Sequence, residues 1–224
     1  MNHPSTPPAK PSCAAALDLY RWRSPVYDLQ MAPYEAIRQH AITRLALQPG
    51  QTVLDIGCGT GMSLPWLREA VGPSGRVIAV DQSPDMLDEA RQCIARQGWS
   101  NVMLVCAPIL AAKLPAQADA ALFHFTHDIL QEPAVVAHVL RHLKPGARIS
   151  ASGLQWAPAW AAPWAWPLNS LVWLAAMHSV TTLQGLHEPW QLLREAGVVL
   201  EVETLMMGTV YVATGHLGPV TAKR

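Results

Sequence analysis

Apolar positions along the chain follow two alternating periods. Short runs rich in β-forming residues, Val53–Ile56, Val77–Val80, Val102–Val105 and Ala120–Phe123, alternate with longer stretches whose apolar residues return every three or four positions. Tyr34, Ile37, Ala41 and Leu45 share one face of a first helix that Pro33 can open at its first position. A Pro49-Gly50 turn leads into a strand ending at Ile56. A helix over Met62–Val71 follows, stopped by Gly72-Pro73-Ser74-Gly75. The second strand ends at Asp81, and Ser83 with Pro84 supplies an N-cap and a first-position proline for the next helix. Strands over Asn101–Cys106 and Asp119–Phe125 come next. A helix carrying Val135, Val139 and Leu143 follows, with Asp128 and Gln131 as a reciprocal cap. It runs to Lys144-Pro145-Gly146, a turn before a fifth strand over Ala147–Gly153. Such βαβα alternation predicts an α/β fold with a parallel, doubly wound sheet.

At 224 residues the chain is long enough for one large α/β domain with a substantial core. Residues 1–13, with Pro4, Pro7, Pro8 and Pro11, read as a disordered tail, leaving 14–224 as a single domain. Sixteen basic against sixteen acidic residues remove the electrostatic footprint of a general nucleic-acid binder. Cys13, Cys58, Cys93 and Cys106 form no CxxC pair, so neither a disulfide framework nor a metal site is expected. No basic-then-apolar leader is read at the N-terminus, and a cytoplasmic location with reduced thiols is the expectation.

The chemistry concentrates where the first strand runs into Gly57-Cys58-Gly59-Thr60-Gly61. Glycines at alternate positions let the backbone turn sharply and come close to a ligand. An acid about 20 residues on, at the end of the next strand, is suited to a ribose diol, and Asp81 stands there. The dinucleotide pattern GxGxxG fails in both registers, at Met62 and at Leu64, which disfavours a nicotinamide cofactor.

Asp55-x-Gly57-Cys58-Gly59-Thr60-Gly61 followed by Asp81 resembles the first two motifs of the class I S-adenosylmethionine (SAM)-dependent methyltransferases, of the small-molecule and lipid type. The resemblance implies a Rossmann-like, mainly parallel sheet. In it, Val198–Met206 and Thr209–Thr214, joined by Met207-Gly208, form a closing hairpin that inserts one antiparallel strand. It implies SAM as cofactor and S-adenosylhomocysteine (SAH) as product, held by Asp55, Gly57, Cys58, Gly59, Thr60, Gly61, Asp81 and Gln82. The free amides at the start of the Met62 helix would receive the methionine carboxylate. Met86 would pack on the adenine, and Tyr20 and Tyr27 belong to a front segment that such enzymes lay across the cofactor. The family's usual acidic acceptor for the adenine amine falls here on Pro108, shifting that recognition to backbone groups near Ala107 or Ile109.

Ligands in open α/β sheets sit beyond the carboxyl ends of the strands, and Thr126-His127-Asp128 occupies that place on the fourth strand. His127 is the first candidate for a general base, with Asp128 and His178 behind it, while Phe123 or Phe125 is suited to face a cationic sulfur. His124 alternates to another face and reads as a core residue.

Between Ile149 and His187 there is no Asp, Glu, Lys or Arg, and Trp156, Trp160, Trp164, Trp166 and Trp173 fall in this stretch. Pro158, Pro163, Pro167 and Asn169 interrupt it, so it does not read as a membrane span. It reads as a cap over about 154–187 whose Trp156, Trp164, Trp166 and His178 line an apolar substrate pocket. Contact with a membrane surface and a homodimer interface are the competing readings. The expected function is methyl transfer from SAM to a small, largely apolar acceptor, without metal. The alternatives are a phospholipid or quinone methyltransferase at the membrane surface and a catalytically silent SAM-binding regulator.

Overall fold

A computed structural model describes residues 34–115, 117–157, 167, 169, 170, 172 and 186–218. The expectations for the tail at 1–13, for Tyr20 and Tyr27, for Trp164, Trp166 and His178, and for most of the cap lie outside the described residues.

Helix α1 (Glu35–Arg44) buries Ile37, Ala41 and Ile42, with Leu45 just beyond, which is the face that the spacing predicts. It is tied to the far edge of the sheet by His40 to Glu203 (2.8 Å) and by Arg44 to Glu201 (3.0 Å) and Glu203 (3.1 Å). The chain then alternates β1 (Thr52–Ile56), α2 (Leu64–Val71), β2 (Arg76–Asp81), α3 (Pro84–Gln97) and β3 (Val102–Cys106). Ser83 caps α3 as expected, accepting from the Met86 amide at 3.4 Å. Among the described residues, a single 3-10 turn, Ile109–Ala111, forms between β3 and β4 (Ala118–His124).

After β4 the expected continuous helix is broken in two, α4 (His127–Leu130) and α5 (Pro133–Arg141). Pro133 lacks an amide and pushes Glu132 to an extended conformation (φ −106°, ψ 105°), so the helix restarts there. The residue at the start of α4 is Thr126, not Asp128, and no side-chain cap forms at its backbone, which replaces the Asp128–Gln131 cap. Strand β5 (Leu143–Leu154) begins earlier than predicted. Leu143 pairs with Ala118 and Arg148 with Ala120, so Lys144-Pro145-Gly146 survives as an excursion inside the strand. Helix α6 (Gln191–Glu195) and strands β6 (Val198–Leu205) and β7 (Val210–Leu217) complete the chain, with Met206–Gly208 turning the hairpin.

The strands form one sheet in the order β3-β2-β1-β4-β5-β7-β6. The first five are parallel, and β7 lies antiparallel between β5 and β6. Alternate residues feed two cores. Val53, Val77, Ala79 and Leu122 pack under α1, α2 and α3, while Leu54, Ile56, Ile78, Phe123 and Tyr211 pack under α5 and α6. Each such large side chain contributes about 1.5–3 kcal/mol by leaving water. Phe123 is wholly enclosed in the second core, so of the two phenylalanines only Phe125 can face a ligand.

Candidate active site

The strand order reverses between β1 and β4, and a cleft of about 280 Å³ opens beyond the strand ends at that point. Gly57 and Gly59 line it from the turn after β1, Asp81 and Gln82 from the end of β2, and Met86 from α3. Ala107 and Pro108 follow β3, and Phe125, His127 and Asp128 follow β4.

The glycine turn is built by conformation and by crowding. Gly57, Gly59 and Gly61 all hold left-handed φ angles (+72°, +54° and +84°). A Cβ at Gly57 would lie 2.5 Å from the Thr126 methyl, and one at Gly61 would lie 2.7 Å from Leu64 and 3.0 Å from Ala90. The Gly59 amide donates to Asp81 Oδ2 at 2.9 Å, and the Ser83 amide donates to Oδ1 at 2.9 Å. Burial raises the pKa of Asp81, and its bonds from the Ser83, Gly59 and Gln82 amides draw it back down. With three amides bound, the carboxylate keeps a lone pair for a donor in the cleft.

Asp55, Cys58, Thr60 and Gly61 do not line the cleft; they are buried within β1 and the turn. Asp55 alternates to the α1 face of β1, where burial raises its pKa to about 7. Arg38 opposes that rise and Asp81 adds to it. Arg38, 3% exposed, was not singled out by its sequence position; it reaches under the turn from α1, bonded to Glu35 and to Met62 Sδ (3.6 Å). The start of α2 offers fewer free amides than expected, because the Leu64 amide donates to Gly61 O at 3.0 Å and Pro65 has none. Trp156 is half-buried against the first core and does not line the cleft.

On the adenine side, the Ala107 amide donates to Asp81 O at 3.0 Å, which fixes the chain after β3 and leaves the Ala107 carbonyl as the group able to accept from an amine. Leu110, Ile129, Glu132 and Val135 join this wall. They escaped the sequence reading because the single turn after β3 and the break before Pro133 bring them there. Glu132 carries into the same cleft the side-chain acceptor that Pro108 lacks.

The chain after β4 is held in an uncommon conformation. Phe125 has φ +56°, strained for a side chain of its size, and its amide donates to Ser152 O at 2.8 Å. This turns His127 toward β5. His127 Nε2 donates to Leu154 O at 2.9 Å, since a carbonyl can only accept, and the ring sits between Phe125 (6.2 Å, 85°) and Tyr211 (6.4 Å, 78°). Burial lowers its pKa to about 4, with the Leu154 bond acting the other way. The imidazole is therefore neutral, and its Nδ1 is buried with no hydrogen-bond partner. His124 pairs instead with Ser152 Oγ at 2.7 Å and lies outside the cleft.

These residues fit SAM. Asp81 suits the ribose diol, Met86, Ile109 and Leu110 give a flat base apolar walls, and Phe125 offers a ring to a cationic sulfur. The orphaned Nδ1 of His127 calls for a proton donor beside them. Among the described residues no cluster of His, Cys, Asp or Glu could hold a metal ion. No described helix is long and apolar enough to cross a membrane.

Residues 53–146 match the family described as "Methyltransferase domain". An arsenite methyltransferase of Halobacterium salinarum is 32% identical over 111 residues, covering 48% of this chain and 28% of its own length. A demethylmenaquinone methyltransferase of Geobacillus is 30% identical over 114 residues, covering 50% of this chain and 49% of its own. The chain thus spans less than half the length of either relative. A SAM-dependent methyltransferase structure from Aquifex aeolicus superposes with a TM-score of 0.60 at 22% identity, covering 80% of this chain and 89% of that one. The [4+2]-cyclase SpnF superposes with a TM-score of 0.71 at 16% identity, covering 94% and 98%. Motif, sheet order and matched domain agree: residues 53–146 are similar to the methyltransferase domain, on the Rossmann-like, mainly parallel sheet seen in SAM-dependent methyltransferase structures.

Proposed function

We propose that the protein transfers a methyl group from SAM to a small, largely apolar acceptor that carries an ionisable proton. The observation carrying this reading is that one cleft joins the Gly59–Asp81 pair to His127, whose neutral ring holds a bare, buried Nδ1. When bound, SAM supplies an electrophilic methyl on a sulfonium.

The protein's residues position the partners and take up a proton. Asp81 and the glycine turn orient the nucleoside, and Phe125 presents its ring to the sulfonium. Holding the partners in near-attack geometry is worth roughly 7–11 kcal/mol at best. His127 Nδ1 would accept the proton of the acceptor's hydroxyl or amine as the nucleophilic atom bonds the methyl carbon and the carbon–sulfur bond breaks to leave SAH, and Asp128 stands at the same wall as the second candidate. The Trp-rich stretch, with Trp164, Trp166 and His178, selects the acceptor.

A quinone or phospholipid acceptor at a membrane surface is the second reading, favoured by the demethylmenaquinone methyltransferase relative and by the uncharged, tryptophan-rich stretch. The likeness to a cyclase keeps a SAM-binding protein without methyl transfer as the third. The deciding experiment is SAH release by the purified protein across phenols, amines and quinones, with calorimetry of SAH binding alongside. Binding without turnover over the whole panel would favour the third reading, and no binding would remove all three.

A further inference from the structure

A neutral histidine has two tautomers, and only one leaves Nδ1 able to accept. The ring of His127 is set by β5, whose backbone it touches at Gly153 and Leu154. Gly153 is fully buried in the middle of the sheet, paired with Tyr211 on β7, and its φ lies outside the left-handed region. Backbone conformation therefore does not call for glycine here, and glycine inside a strand is unfavourable relative to alanine. Crowding accounts for it. A Cβ at 153 would stand 2.7 Å from both His127 Cε1 and His127 Nε2, and 3.5 Å from the Tyr211 ring.

We propose that Gly153 is a positioning residue for His127: its missing side chain lets the ring approach β5, donate Nε2–H to Leu154 O and so keep Nδ1 unprotonated. The other ring contacts act in the same sense. Phe125 (6.2 Å) and Tyr211 (6.4 Å) both meet the imidazole edge-on and restrict the room it has to shift while keeping the Leu154 bond. A methyl at 153 displaces the ring, releases Nε2 from the carbonyl and allows the proton to move to Nδ1, where it blocks the acceptor. This inference rests on the reading of His127 as a base and extends it to the residue that sets its tautomer.

The test compares wild type, Gly153→Ala, His127→Ala and the double variant. Nitrogen-15 spectra of the imidazole, read without any bound ligand, should show the Nε2–H tautomer for His127 in wild type and a changed pattern in Gly153→Ala. SAH affinity should stay within about twofold, while turnover falls about 10²-fold, the lower end of general-base effects. In the His127→Ala background, Gly153→Ala should cost no further turnover and little melting temperature, because the clashing ring is gone. If Gly153→Ala alone fails to fold, recovery of folding in the double variant supports the steric account, and no recovery overturns it. A wild-type Nδ1–H tautomer, or an unchanged tautomer in Gly153→Ala, also overturns it. Unchanged turnover in a folded His127→Ala removes the base reading instead, and the spectra then still decide the role of Gly153.

Discussion

The Asp81 carboxylate receives the Gly59 amide at 2.9 Å, fastening the end of β2 to the turn after β1. One acid thereby shapes the loop and faces the cleft. Asp81→Ala should weaken SAH binding by about 1.5–3 kcal/mol, the usual worth of hydrogen bonds to a charged group. Gly59→Val, which places a branched side chain at φ +54° on the cleft wall, should abolish binding. Calorimetry checks both, and tight NADH binding without SAH binding would overturn the cofactor assignment.

His127→Ala should lower turnover by about 10²–10⁴ and leave SAH affinity nearly unchanged. Because burial sets the His127 pKa at about 4, the ring is already neutral through the physiological range. The rate should lose a His127-dependent component only as pH falls toward that value. A wild-type rate inflection near pH 6.5 that vanishes in His127→Ala would contradict the buried, neutral ring.

Two buried groups oppose each other in the pH dependence of stability. His127 falls to about 4 from an ordinary value of about 6.5, so the unfolded chain binds its proton first and stability rises with pH across that interval. Asp55 rises to about 7 from an ordinary value of about 3.9, so the folded chain holds its proton and stability falls as pH climbs toward 7. Between about pH 4 and 6.5 the two slopes offset, each at most about 1.4 kcal/mol per pH unit. Relative to wild type, denaturant midpoints should drift downward with rising pH in His127→Ala and upward in Asp55→Asn. Parallel curves for all three proteins would refute the pairing.

Replacing Trp164 and Trp166 by alanine should leave SAH affinity intact and weaken an apolar acceptor. Loss of liposome binding with full activity on a dispersed acceptor would favour the membrane reading. Loss of a dimer in light scattering, with neither other change, would assign the stretch to an interface.

The strands, the glycine turn, Asp81 and the Ser83 cap were legible in the sequence because each rests on local chemistry: β-forming runs, glycine spacing, a hydroxyl before proline. His127 was legible by its place at the end of a strand. Arg38 was not, since a charged residue on an apolar helix face declares no partner until α1 docks over β4, β5 and β7. Nor was the left-handed Phe125, which tertiary packing imposes. The α4–α5 break was half-visible, as Pro133 announced it while the apolar spacing ran across it.

Strand β5 ends at Leu154, and just beyond it the Trp156 amide bonds to the Leu186 carbonyl at 2.9 Å. The two ends of the intervening stretch are thus clasped side by side, with Gln155 anchored to Gly208 O and Thr209 O (2.9 Å each). A stretch whose ends already meet can lengthen, shorten or be exchanged at little thermodynamic cost, since doubling a flexible loop costs only about 0.6 kcal/mol. The stretch between them can therefore diverge in sequence while the sheet that holds the cleft stays the same.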